Sequence, residues 1–242
     1  MPGKTGEPAA AAMPPFGFLD DGSEPHAVVV AGGNLGAPEL RAEAERLVAT
    51  AAFCVAADGG LRLLRAVGRW PDVLVGDFDT LSRREVEEAE AAGVTVLRFP
   101  TAKDATDSEL ALDLVEERGG PRRVYLIGGV GDRMDHTLAN LMMAARLCLE
   151  GRDVTIIAAS AHIAPLVGPG RVCFSGRPGQ PVSLIPLTPC LTGVTTEGLV
   201  YPLKEATLRF GTTLAVSNEL AGERGAFSAR AGRALVVLQR RP

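Results

Sequence analysis

Up to Gly151 the chain alternates short, unbroken apolar runs with stretches of helical period. Residues 27–31, 53–57, 73–75 and 124–127 carry no polar interruption, as strands buried on both faces of a parallel sheet do. Each run ends on or just before glycine: Gly32-Gly33-Asn34-Leu35-Gly36, Asp58-Gly59-Gly60, Gly76 and Gly128-Gly129. Residues 94–99 alternate and read as a further strand. Between these runs, Leu40, Ala44, Leu47 and Val48 recur at helical spacing, and a short helix near Leu61 and Leu64 stops at Gly68. Residues 82–92 form a charged helix, and 106–118 one with Leu110, Leu114 and Val115 on its apolar face. Residues 135–150 form a strong amphipathic helix whose apolar face is expected to be Leu138, Leu141, Met142, Ala145 and Leu149. Strands alternating with helices predict an α/β fold, a mostly parallel sheet with flanking helices.

Beyond Gly151 the helical period disappears. Short strand-like runs separated by Gly and Pro continue to the end, which predicts a small all-β sandwich or barrel. The expected division is a disordered tail at 1–25, an α/β domain at 26–152 and a β domain at 153–242, with the junction between Gly151 and Pro169.

Composition narrows the class. With 46% apolar and 22% charged residues the chain is an ordinary globular protein, and a net charge of −4 gives no reason to expect nucleic acid or an anionic membrane as partner. No apolar stretch approaches the roughly 20 residues of a membrane span. The four cysteines form no Cys-x-x-Cys pair and read as free thiols. The first 25 residues lack an apolar signal core, and Asp20, Asp21 and Glu24 argue against a transit peptide; the expectation is a cytoplasmic protein.

Polar residues with chemistry collect where the strands end. Asn34, Asp58, Asp77 with Asp79, then Lys103, Asp104 and Asp107, and last Asp132, Arg133, Asp135 and His136 follow successive strands. Carboxylates converging on one edge repel one another unless a cation is present. If the backbone stays extended through Phe78, Asp77 and Asp79 share one face and suit a hard cation such as Mg²⁺; a turn that caps the strand is the competing reading. Asp104 and Asp107 are three apart and can face one point on a first helical turn, or serve with Thr106 and Glu109 as helix caps. Gly128-Gly129-Val130-Gly131 feeds a helix, an arrangement that admits an anion, with Arg133 able to fork onto a phosphate. Asp132, His136 and Asn140, four apart, make a polar stripe. Ser217-Asn218-Glu219 after an apolar strand is a turn or a ligand contact.

Ala57-Asp58-Gly59-Gly60, Gly76-Asp77-Phe78-Asp79-Thr80, Lys103-Asp104-x-Thr106-Asp107, Gly128-Gly129-x-Gly131-x-Arg133-x-Asp135-His136 and Ser217-Asn218-Glu219 together resemble the thiamine pyrophosphokinase family, in order and in spacing. The resemblance implies an α/β nucleotide domain joined to a β-sandwich, a homodimer, and pyrophosphoryl transfer from ATP to thiamine with Mg²⁺. It implies that Asp77, Asp79 and Asp107 hold the metal and the ATP phosphates. Asp58, Gly59, Lys103, Asp104, Gly129 and Arg133 would position the phosphates, Asp135 would lie beside the reacting hydroxyl, and Ser217 and Asn218 would meet the thiamine pyrimidine. Thr80 replaces the family's usual serine and keeps the hydroxyl. The family often stacks thiamine on an aromatic of the β domain, yet the only tryptophan here is Trp70, in the first domain. Three other readings stay open: a pyrophosphokinase for a pterin alcohol with the same metal acids, a nucleotide-sugar transferase with Asp77-x-Asp79 as its metal motif and no phosphate site at Gly128 to Arg133, and a nucleotide-sensing module that binds ATP without turnover.

Overall fold

The computed structural model describes residues 17–18, 24–32, 37–100, 102 and 104–240. In chain order its elements are β1 (Gly17–Phe18), β2 (His26–Val30), α1 (Pro38–Thr50), β3 (Phe53–Ala57), α2 (Gly60–Ala66), β4 (Val73–Gly76), α3 (Arg83–Ala91), β5 (Thr95–Arg98), α4 (Asp107–Glu117), β6 (Arg123–Ile127) and α5 (Met134–Leu149). Strands alone follow: β7 (Asp153–Ile157), β8 (Ala161–Val167), β9 (Gly170–Ser175), β10 (Pro181–Pro186), β11 (Cys190–Glu197), β12 (Ala206–Arg209), β13 (Asn218–Glu219), β14 (Arg224–Ala229) and β15 (Arg233–Gln239).

Six strands run parallel in the order β7-β6-β2-β3-β4-β5. Strand β2 shows why the apolar runs are unbroken. Ala27 and Val29 face the layer built by α4 and α5, Val28 and Val30 face α1, α2 and α3, and none of the four has exposed surface. With both faces covered, alternation has no polar side to show; full burial of each valine is worth about 2 kcal/mol.

The sheet does not stop where the helices do. β7 pairs parallel with β6, β8 returns antiparallel to it, and β15, β10 and β13 extend the same sheet to ten strands. A second sheet, β1-β9-β14-β11-β12, packs on this extension across Phe174, Leu184, Val194, Phe227 and Val236. The β-rich part is therefore a sandwich that shares one leaf with the α/β sheet. The division expected at 152/153 precedes β7, which is a strand of the parallel sheet. An apolar run such as Val154–Ile157 reads alike whether its neighbour runs parallel or antiparallel.

Two further expectations are corrected. Gly17 and Phe18, assigned to a disordered tail, form β1 against β9, with the Phe18 ring edge-on to Phe174 at 6.4 Å. In α5 the buried stripe is Thr137, Asn140, Ala144 and Leu147, with Met143 and Ala145 beside it. Leu138, Met142 and Leu149, expected to face the core, are about half exposed, and Met134 is more so. The helix carries apolar residues on two sides, and periodicity alone does not tell which of them meets the sheet. No helix among the described residues is long and apolar enough to cross a membrane.

Candidate active site

The chain runs from β2 outward to β5, then crosses back to β6 on the other side of β2. The carboxyl ends of β2 and β6 therefore flank a topological switch point, where open α/β sheets bind ligands. A cavity of about 1230 Å³ opens there. Its walls come from four strand ends and the helices beside them: Gly32 after β2, Asp58 and Gly59 after β3, Asp77 and Asp79 after β4, Arg62 of α2, Asp107 at the head of α4, and Gly128, Gly129, Gly131, Asp132, Arg133, His136, Thr137 and Asn140 after β6; Asp135 is not part of the wall.

Close packing brings the acids together. At Gly60 a side chain would strike the carbonyl oxygen of Val30, so glycine lets α2 start hard against β2. Gly76 sits at φ +150° with the Asp58 carboxylate where a Cβ would stand. The Phe78 N–H donates to Asp58 Oδ1 at 3.0 Å, and the Asp79 N–H donates to Asp77 Oδ1 at 3.2 Å. Phe78 does not continue the strand: its φ of +63° is left-handed, and its side chain is buried among Leu81, Val86 and their neighbours. Asp77 and Asp79 thus meet through a turn rather than through strand alternation. The turn brings them to Asp58, and one carboxylate oxygen from each of the three lies within 4.8 Å of the others.

Burial, more than any other cause, pushes the Asp58 carboxyl up to about 6. The negative charge of Asp107 adds to this, as do Asp77 and Asp79 more weakly, while the hydrogen bond from Phe78 pulls the other way. Three carboxylates in a part-buried group suit Mg²⁺, whose opposite ligands stand about 4 Å apart. The donor set fits such an ion with little rearrangement. Asp107 lines the cavity and is felt electrostatically at Asp58, but it is not one of the three clustered acids.

Helix α4 begins at Asp107, with the Thr106 hydroxyl accepting from the Glu109 N–H at 3.2 Å. The Glu109 side chain takes Arg146 at 3.0 Å, so only the threonine half of the expected capping box is formed with it. Asp104 precedes the helix, is exposed, and is not part of the cavity wall. Lys103 and Asn34 lie outside the described residues.

Across the cavity, the glycine turn is braced by α5: Asn140 Nδ2 donates to the Gly129 carbonyl at 2.8 Å, and the Gly131 N–H donates to the Thr137 hydroxyl at 3.2 Å. Gly129, Arg133 and the stripe of Asp132, His136 and Asn140 all line the cavity. The N-cap residue of α5, Arg133, makes no side-chain cap, and within the first turn the His136 N–H is taken by the Asp135 carboxylate. Arg133 forks onto Asp135 at 2.6 and 3.2 Å. That contact, followed by the His136 N–H, holds Asp135 down at about 2.

Ser217 and Asn218 do not reach the cavity. Ser217 is exposed at φ +59°. Asn218 is buried, and its amide is spent on backbone: it accepts from Tyr201 and Glu219 N–H groups and donates to the Tyr201 carbonyl. Trp70 packs at the edge of the α1–α3 core under Arg65.

A crevice at the switch point of a parallel sheet, with clustered carboxylates on one wall and a glycine turn leading into a helix on the other, is where an enzyme of the α/β class binds its ligand. Residues 44–157 match the thiamin pyrophosphokinase catalytic domain, and residues 174–233 match the vitamin B1 binding domain of the same family. The chain belongs to the thiamine pyrophosphokinase family. It is 29% identical to thiamine pyrophosphokinase of Bacillus subtilis over 184 residues, which is 76% of this chain and 85% of that one. A relative from Caenorhabditis elegans is 24% identical over 188 residues, covering 73% of this chain and 75% of its own. The fold superposes on the crystal structure of the Bacillus subtilis enzyme with a TM-score of 0.78 at 28% identity, over 90% of this chain and 100% of that one. For the Geobacillus thermodenitrificans enzyme the TM-score is 0.74 at 28% identity, over 89% and 98%. These matches favour neither the pterin nor the nucleotide-sugar reading.

Proposed function

We propose that the protein transfers a pyrophosphoryl group from ATP to the hydroxyl of thiamine, giving thiamine diphosphate and AMP. The observation that carries this reading is the meeting of Asp58, Asp77 and Asp79 within 4.8 Å in a cavity that Gly128, Gly129 and Gly131 also line. Asp58, Asp77 and Asp79 would hold Mg²⁺, with Asp107 on the same cavity; the bound ion supplies charge neutralisation on the phosphate oxygens. Assigning Asp58 to the metal changes its expected role from phosphate positioning. Gly59, Gly129 and Arg133 would seat the phosphate chain through main-chain N–H groups and the guanidinium.

The reaction forms a bond from the thiamine hydroxyl oxygen to the β-phosphorus and breaks the bond from that phosphorus to the oxygen bridging it to the α-phosphate. AMP leaves with the electron pair. Asp135, held near 2 by Arg133, is a weak base. Its role beside the hydroxyl is to accept a hydrogen bond and orient the oxygen, with the proton passing on to phosphate or solvent.

The reading includes a homodimer. α5 exposes Met134, Leu138, Met142 and Leu149, and the β part exposes Val200, Tyr201, Phe210, Leu214 and Val216. Two such apolar faces on one chain support association. Ser217 stands beside the second face, away from the cavity of its own chain, which supports its meeting thiamine in the cavity of a partner subunit. Tyr201 and Phe210 supply exposed aromatic rings there. In this scheme the parallel-sheet part up to β7 is catalytic and the β part binds thiamine; the proposal places the enzyme in the cytoplasm.

Incubation with ATP, Mg²⁺ and thiamine, followed by ion-exchange separation of nucleotides, tests the reaction. AMP released in step with thiamine diphosphate supports it, and ADP, or turnover with a pterin alcohol instead, overturns it.

A further inference from the structure

Two exposed arginines grip the loop that carries Asp77 and Asp79. Phe78, between the two acids, holds a left-handed φ of +63° that is costly for a residue with a Cβ, and the residue is only 6% exposed. Arg98, the last residue of β5, lays its guanidinium 4.7 Å from the centre of that ring. Its Nη1 donates to the main-chain carbonyl of Asp77 at 3.2 Å. On the other flank, Arg62 of α2 donates from Nη2 to the Thr80 carbonyl at 2.8 Å. Glu85 fixes Arg62 through bonds of 2.7 and 3.1 Å, and the same carboxylate accepts from the Ser82 N–H to cap α3. The carbonyls at both ends of the acid-bearing turn are therefore each taken by one guanidinium. A surface arginine retains more rotamer freedom when it points into water; both of these are ordered against the turn.

We infer that Arg98 and Arg62 are positioning residues that hold residues 77–80 in the shape presenting Asp77 and Asp79 to the metal. The inference rests on the metal reading above. A left-handed turn at Phe78 is easily lost, and with it the approach of Asp77 and Asp79 to Asp58. The planar guanidinium both stacks on the ring and reaches the carbonyl, which a lysine ammonium cannot do from one position.

Mn²⁺ binding to the full chain, followed by electron paramagnetic resonance with and without α,β-methylene-ATP, tests this for the wild type, Arg98→Ala, Arg98→Lys and Arg62→Ala. Residues that orient metal ligands typically change affinity 10–100-fold, and the expectation here is a loss of about tenfold at the low end of that range. The Mg²⁺ concentration for half-maximal activity should rise in parallel, with kcat at saturating Mg²⁺ falling less. The sign separates geometry from charge. Removing a positive group beside an acidic cluster would, by Coulomb attraction alone, tighten cation binding, whereas loss of the grip weakens it. Arg98→Lys keeps the charge and should still bind Mn²⁺ weakly, and it serves where the alanine variant unfolds. Unchanged or tighter Mn²⁺ binding in Arg98→Ala, or wild-type affinity in Arg98→Lys, overturns the inference. A wild-type protein that binds no Mn²⁺ under either condition overturns the metal reading itself, a result distinct from a difference between variants.

Discussion

Asp58→Asn should make the metal-free protein more stable at neutral pH, although it removes a residue assigned to the site. Folding half-buries Asp58 beside Asp107, Asp77 and Asp79 and pushes its carboxyl up to about 6, against about 3.9 in an unfolded chain. A carboxyl raised by folding favours the native state only while it is protonated. The advantage is complete below about pH 4 and is lost as the pH climbs through about 6. A gap of about two units corresponds to roughly 3 kcal/mol. Asp58 keeps contact with solvent, so screening brings the figure to about 1.5 kcal/mol. Asparagine keeps the shape and the oxygen that accepts from the Phe78 N–H, and it tolerates the left-handed φ of +45° at this position. Thermal unfolding in EDTA at pH 8 should then place the variant about 3–6 °C above the wild type, at 2–4 °C per kcal/mol for a chain of this size. At pH 4 the two should melt together. Mg²⁺ should raise the wild type and leave the variant nearly unmoved. A variant that melts lower in EDTA at pH 8, or a gap that is the same at pH 8 and pH 4, would refute the electrostatic reasoning.

Asp79→Asn should abolish turnover while the melting temperature in EDTA holds or rises, since one repelling charge is gone; equal losses of activity and stability would make the residue structural. Asn218→Ala removes three hydrogen bonds to backbone from a buried amide and should cost about 2–3 kcal/mol in a urea titration. Ser217→Ala, at an exposed position, should leave stability within about 0.5 kcal/mol and raise the KM for thiamine. Leu138→Glu on the exposed face of α5 should shift the mass measured by light scattering from dimer to monomer, with thiamine turnover falling alongside.

The parallel sheet was legible because β2, β3, β4 and β6 are buried on both faces, which leaves unbroken apolar runs. Their glycine-marked ends located the site. Less could be read wherever two arrangements share one pattern. Helix α5 has apolar residues on opposite sides, so the stripe of Leu138 and Met142 looked like core while Ala144 and Leu147 became it. Strand β7 carries the run of a buried strand with no mark of its pairing direction, which hid the continuity of the sheet. In the site, Asp77 and Asp79 were found together, but through the left-handed turn at Phe78 rather than by alternation. Asp58 joined them because Gly76 leaves room for its carboxylate, a contact between residues 18 apart that no local pattern encodes. Arg62 and Arg98 carried no sequence signal, since their roles rest on main-chain carbonyls across the fold.

If these clustered acids serve pyrophosphoryl transfer to thiamine, AMP and thiamine diphosphate form together. Phosphorus NMR of a reaction containing ATP, Mg²⁺ and thiamine reads it directly. The expected result is a matched growth of AMP and thiamine diphosphate signals, absent without thiamine and absent in Asp79→Asn. Growth of ADP with thiamine monophosphate, or ATP consumption that ignores both thiamine and Asp79, would contradict it.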